Sequence, residues 1–301
     1  MVDVRAERWD RLSTLPLQRI GAPARFFHGA LASFREIVAH RALLNLLVRR
    51  ELRSRYKDSS LGFLWSLARP LTQLFIYYVV IGRFLGAARS IPDFAIYVFA
   101  GLTAYTLLSE IVGGSTISVV ANAGLVKKVY FPRELFPLAA VGSSLFNFLI
   151  QLAILVVFAS IVGHPPFSAN LVYFFLAVAL LLVFGTAIGL LAGALNVYLR
   201  DVQYLVEVAL LMLMWASPIV YSWANVRDIL GQGLLLEAYT NNPITLSVLG
   251  FQRALWLSGG ESFSPPELLA RMLIALAIGL VCLFLAQRTF AKLQGNFAQE
   301  L

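Results

Sequence analysis

Charge is scarce in this sequence of 301 residues: 13% of its side chains are Asp, Glu, Lys or Arg, against roughly a quarter in ordinary soluble domains. With 59% hydrophobic residues and a mean hydropathy of +0.77, too little polar surface remains to cover a water-soluble globule. The single cysteine, Cys282, excludes an intrachain disulfide and a cysteine metal site. Histidine stops at three, His28, His40 and His164. None of them lies in a long apolar run, and no two acids share a membrane face. An intramembrane hydrolase or metalloenzyme needs a larger stock than this. There is no G-x-x-x-x-G-K-[ST] and no Gly-Lys pair, so the chain cannot hold ATP through a P-loop. Internal repeats and low-complexity tracts are also missing.

What fills the sequence instead is long apolar runs. Six of them, near 63–84, 94–118, 136–162, 171–195, 204–222 and 268–288, have the ~20 residues that a helix needs to cross ~30 Å of hydrocarbon. The first 60 residues hold no such run, so no cleavable signal peptide is expected. Lys and Arg set the orientation. Eighteen of the 24 fall in residues 1–60, the 119–135 loop, Arg200 and the C-terminal tail, all on one side of an even number of spans. Arg83, Arg89, Arg227, Arg253 and Arg271 fall on the other side, and Arg69 lies inside the first span. That asymmetry puts both termini in the cytoplasm. The net charge of +8 is therefore mostly topological, and no nucleic-acid partner is expected.

Two segments outside the runs carry a pattern. Over 31–56, Leu31, Phe34, Ile37, Val38, Leu44, Val48, Leu52 and Tyr56 form an apolar stripe with Arg35, Arg50, Arg53 and Ser54 beside it. Arg41 and Arg55 interrupt this stripe, and Leu43, Leu46 and Leu47 widen it; the pattern suits a helix lying in the membrane interface. Between the fifth and sixth runs, LLLEAY at 234–239 and ITLSVLGFQRALWL at 244–257 are too apolar for a linker and too short to span comfortably. Asn242-Pro243 reads as a helix start, with Asn as cap and Pro in the first turn. Two short helices dipping into the outer leaflet are expected, shielded by protein at their ends. The chain thus reads as an all-α polytopic membrane protein with six transmembrane helices, an N-terminal interfacial amphipathic helix and short re-entrant outer helices. Residues 1–60 form its cytoplasmic segment and 61–301 its six-helix transmembrane domain.

Three motifs point to a family. R-x-R-Y-K-x-S-x-L-G-x-L-W at 53–65, followed by Pro70, enters the first span; NAGLVKKVYFPRELFP at 122–137 fills the second cytoplasmic connection; WASPIVYS at 215–222, with Asn242-Pro243 beyond it, ends the fifth span. Arg200-Asp201 is a weaker match. Over about residues 31–290 the chain resembles the membrane permease subunits of type 2 ABC exporters that move O-antigen, teichoic acid or cell-wall galactan on a polyprenyl lipid. Twenty Arg against four Lys suggests a GC-rich coding sequence, which tilts the reading toward the galactan branch.

The resemblance implies a homodimer in the cytoplasmic (inner) membrane, with two separate ATP-binding-cassette subunits below it. It implies a permease that is not itself an enzyme and holds no cofactor, with ATP and Mg2+ in the partner. The surface helix, including Glu51, and the loop with Lys127, Lys128, Tyr130, Phe131, Pro132, Arg133 and Glu134 would meet the ATPase, as would Arg200 and Asp201. The simpler reading of that loop is a positive-inside connection with an interfacial aromatic.

Arg53, Arg55, Lys57 and Arg69 have guanidinium or ammonium groups suited to a lipid diphosphate. The first three could equally anchor the span on anionic lipid. Phe75, Tyr77 and Tyr78 in span one, and Trp215, Pro218 and Tyr221 in span five, are candidates for a glycan channel or for an aromatic belt. On an ideal helix Trp215, Pro218 and Tyr221 lie near one face, as do Phe75, Tyr78 and Gly82. Glu110, the only acid deep within a run, is either a proton relay or a structural acid with a protein partner. A proton-coupled secondary transporter should show repeats, broken helices and several buried acids. An ABC exporter of drugs or small lipids would share the fold and differ only in substrate.

Overall fold

A chain in hydrocarbon must satisfy its amides within itself, and helices do so locally. In the computed structural model every regular element among the described residues is helical. The structure describes residues 35–56, 64–129, 131–162, 170–259 and 263–301. Among the described residues, four helices are long and apolar enough to cross a membrane. These are α3 (Phe94–Ala121), α5 (Leu135–Val162), α6 (Leu171–Tyr198) and α11 (Leu268–Leu293), and they fall on the second, third, fourth and sixth expected spans.

The other two expected spans are altered in ways the local sequence explains. The first is helical from Leu64, but α2 (Leu64–Ile76) opens into a π-wound stretch over Tyr77–Phe84, where Leu85 N donates to Val80 O at 3.0 Å. The expected fifth span, 204–222, is cut short. Helix α7 (Val202–Trp215) has 14 residues, about 21 Å of rise. Residues 216–222 leave the helix around Pro218, whose ring removes a donor and crowds the preceding turn.

Helix α3 is the centre of the molecule. Its first half, from Ile96 to Ala104, is buried on all sides, and α5, α6, α7 and the helix over Pro243–Leu255 pack on α3. Against α6 the approach is too close for side chains: a Cβ on Gly189 would lie 2.6 Å from Ser115 Cβ, and one on Gly193 would lie 2.8 Å from Ser115 O. Small residues four apart allow membrane helices to meet at backbone distance.

The segment between α7 and α11 folds as three helices rather than the two expected: α8 (Trp223–Leu230), α9 (Leu234–Thr240) and α10 (Pro243–Leu255). Asn242 Oδ1 caps α10 by accepting from Ile244 N at 3.0 Å, with Pro243 in the first turn, as the sequence predicts. Helix α10 is not peripheral. Nearly all of it is buried against α3, α6 and α11, and Phe251 meets Phe148 and Phe174 at ring distances of 5.9 and 5.3 Å.

At the opposite end, α1 (Arg41–Tyr56) packs on α5. Leu47 is buried and Val48 sits over Gly142, while Val38 and Leu46 face outward. The buried stripe is therefore narrower than the sequence pattern, and its Leu31 and Phe34 lie outside the described residues.

Candidate functional site

The residues singled out by sequence gather at the two ends of the helix bundle. At the end where α3 finishes, Asn122 Nδ2 donates to Ser118 O at 2.7 Å while its Oδ1 accepts from Arg50, which ties α1 to the turn. The short helix α4 (Ala123–Lys128) follows, with Val126 buried beneath it. Lys127, Lys128 and Val129 all project outward, the two cations lying in the last turn, where a helix favours positive charge. Arg200 and Asp201 are exposed at the end of α6, and Arg53 is exposed on α1. Glu51 is half-buried. Tyr130, Lys57 and the side chains of Arg55 and Arg69 lie outside the described residues.

The remainder of the loop turns inward. Phe131 packs on Phe136 with ring centroids 5.3 Å apart. Pro132 is half-buried. Arg133 donates to Gln294 O and lies 5.9 Å over the Phe297 ring. Glu134 is 3% exposed and accepts from Gln294 Nε2 at 3.2 Å. Burial pushes the Glu134 carboxyl above its usual range, opposed by hydrogen bonds from its own backbone and from Gln294.

The chain after α11 thus clasps the loop. Tyr198 Oη donates to Leu293 O at 2.8 Å, and the fully buried Phe297 meets Tyr198 and Phe290. Sequence reasoning missed Gln294, Phe297 and Tyr198, because 95 residues separate Tyr198 from Leu293 and 160 separate Gln294 from Glu134. The only available signal was the spacing of Phe290 and Phe297, two helical turns apart.

At the other end the aromatic candidates divide into two sets. Tyr77 reaches α7: its ring lies edge-on to Trp215 at 6.3 Å and its hydroxyl contacts Met214 Sδ at 3.7 Å. Tyr221 Oη donates back to Trp215 O at 2.7 Å, satisfying a carbonyl that the helix end leaves open, and accepts from Tyr239 Oη at 3.3 Å. Phe75 and Tyr78 line a separate groove with Gly82.

The break after α7 is held by α3 and α10. Tyr97 Oη is within 2.9 Å of Pro218 O and 2.8 Å of Tyr221 O, and Gln252 Nε2 donates to Pro218 O at 2.7 Å. Gly101 makes room for this contact, because a Cβ there would come within 3.3 Å of the Ile219 backbone. Irregular backbone is stable at membrane depth only with such partners.

Two acids complete the picture. Glu110 accepts from Asn147 Nδ2 at 2.9 Å, so the reading of it as a partnered acid fits this geometry. Glu207, which sequence reasoning passed over, is exposed in the second turn of α7.

Comparison with known proteins places this arrangement in context. Residues 42–256 match the model of a family described as ABC-2 type transporter. The chain is 30% identical over 270 residues to the O-antigen export system permease protein RfbA of Myxococcus xanthus, covering 89% of this chain and 98% of that one. It is 26% identical over 260 residues to the O-antigen export system permease protein RfbA of Klebsiella pneumoniae, covering 86% and 95%. A shorter match, 26% over 178 residues, joins it to the polysialic acid transport protein KpsM of Escherichia coli, covering 57% and 67%.

Proposed function

Because the chain belongs to the ABC-2 type transporter family, we propose that it is the transmembrane subunit of an ATP-driven exporter of lipid-linked polysaccharide. The cargo is a glycan on a polyprenyl diphosphate, of the cell-wall galactan or O-antigen kind, moved across the cytoplasmic membrane. The near full-length similarity to O-antigen export permeases carries this reading.

The energy comes from two separate ATP-binding-cassette subunits, and the permease works as a homodimer without a cofactor of its own. Exposed Lys127 and Lys128, on a loop clasped from behind by Gln294 and Phe297, support a rigid docking surface for such a partner. Arg53 and Arg200 add positive charge at the same end. Six spans are assigned by counting the α2–π segment and α7 with its irregular extension, the 1–60 segment lying in the cytoplasm. The helices α8, α9 and α10 then close the outer side, and the broken end of α7, with Trp215, Pro218 and Tyr221, borders the exit.

Depleting the protein tests the cargo. A polyprenyl-linked glycan should accumulate on the cytoplasmic side; accumulation of no glycan, or of a drug or simple lipid instead, would overturn the assignment. Orientation has its own test. In a Cys282→Ser background, cysteines at Asn122 and Ser90 should react with an impermeant maleimide from opposite sides, and labelling from the same side contradicts six spans.

A further inference from the structure

A groove of about 750 Å³ runs between the α2–π segment and the outer end of α5, with the start of α3 as its floor. Leu71, Leu74, Phe75, Tyr78 and Gly82 line one wall. They recur at three- and four-residue steps, so they share a helical face. Phe158 and Val162 of α5 line the other. From Leu71 to Gly82 the helix rises about 15 Å, half the ~30 Å thickness of the hydrocarbon core. The groove is therefore one leaflet long.

Its polarity is graded. The deep part is aliphatic and aromatic, while the mouth carries Arg83 and Arg89, both exposed. Tyr78 holds Arg83 over the mouth: the guanidinium donates to Tyr78 Oη at 2.9 Å and lies 5.5 Å above the ring. Arg89 is brought back to the same mouth by a reversal at Gly86, whose φ of 81° lies in the left-handed region that suits glycine. Among the described lining residues the one carboxylate, Asp93, accepts a hydrogen bond from Ser258. Two guanidiniums at the surface end of an apolar groove one leaflet deep match a phosphate on a single acyl chain.

We propose that this groove is a binding site for an anionic phospholipid of the outer leaflet, its acyl chain along Leu71–Gly82 and its phosphate between Arg83 and Arg89. The choice of leaflet rests on the orientation proposed above; the site itself does not depend on the exported cargo. On this assignment Phe75 and Tyr78 serve a lipid tail and not the glycan path. An ordinary acyl chain is favoured over a polyprenyl chain because the groove ends after one leaflet.

The full chain, purified in detergent and stripped of lipid, is incubated with equal parts phosphatidylglycerol, phosphatidylethanolamine and polyprenyl phosphate. Native mass spectrometry then counts the adducts. The wild type should retain phosphatidylglycerol about tenfold over phosphatidylethanolamine. Arg83→Gln with Arg89→Gln should bring that ratio close to one, and because both side chains are exposed the fold should survive. Ala95→Trp, which fills the floor, should reduce retention of both phospholipids.

No preference in the wild type, or an unchanged preference in the double variant, overturns the proposal. So does retention of polyprenyl phosphate ahead of phosphatidylglycerol. A second copy seated in the groove would appear as a change of oligomeric state on substituting the arginines, and would overturn it too. None of these readings involves export, so the lipid site and the proposed cargo fail independently.

Discussion

Reversing both exposed lysines of the 122–134 loop, Lys127→Glu with Lys128→Glu, should weaken docking of the proposed ATPase subunit roughly a hundredfold, since like charges forced together across an interface cost several kcal/mol. Export should fall with it. The fold should not change, because exposed positions of this kind move stability by about 0.5 kcal/mol or less. Both side chains project from the last turn of α4, and their cationic heads contact solvent. The measurement is co-purification of the ATPase with the variant permease, alongside ATP hydrolysis stimulated by the permease. Lys127→Arg with Lys128→Arg should restore both. Full co-purification and hydrolysis in the Glu variant would remove this loop from the coupling.

Phe131→Ala is a poorer probe of the same idea. Phe131 packs on Phe136 beside a hydrophobic cluster that includes Leu47, Phe290 and Phe297, so its loss would disturb packing as well as any contact with a partner. The motif at 122–137 does not reveal which of its residues face outward. The resemblance implied that Lys127, Lys128, Tyr130, Phe131, Pro132, Arg133 and Glu134 all meet the ATPase. In the structure, Arg133 and Glu134 bond to the chain's own tail, through Gln294 and Phe297. Pairings between residues so far apart leave no periodic trace in one sequence.

The long helices were legible for the opposite reason. Burying a backbone in hydrocarbon demands a continuous apolar run of fixed length, and α3, α5, α6 and α11 supply it without interruption. Capping is equally local, so Asn242-Pro243 announced the start of α10 correctly. What a run cannot say is what surrounds it. Helix α10 looked like a short element in the outer leaflet, yet Phe251, Val248 and Ala254 are fully buried among α3, α6 and α11.

The aromatic faces fared differently on either side of a change in winding. Phe75, Tyr78 and Gly82 do share a face, as an ideal helix predicts, even though the π-wound stretch begins between them. Trp215, Pro218 and Tyr221 do not form a helical face, because α7 stops at Trp215. Tyr221 comes near Trp215 by folding back, its hydroxyl on the Trp215 carbonyl. Proximity was right and its cause was wrong.

That geometry makes Trp215 the sharper test of the glycan path. Trp215 is 50% exposed and meets Tyr77 only edge-on, so Trp215→Ala with Tyr77→Ala removes a flat aromatic surface without opening a closed core. If sugar rings stack there, export should drop thirtyfold or thereabouts, the effect of losing an anchoring aromatic pair at a binding surface. Dimer assembly and basal ATP hydrolysis should persist, and the midpoint of thermal aggregation in detergent should barely move. Trp215→Phe should keep most of the export, since it retains a ring.

Tyr221→Phe serves as the control for packing. It keeps the ring but leaves the Trp215 carbonyl without its donor, at a cost of about 0.5–1.5 kcal/mol. That variant should lose stability more than the Ala pair does, and export only in proportion to folded protein. A Trp215→Ala, Tyr77→Ala protein that exports normally puts these rings on the lipid side of α7, and one that aggregates early assigns them to packing. Either result removes the exit path from this end of the helix.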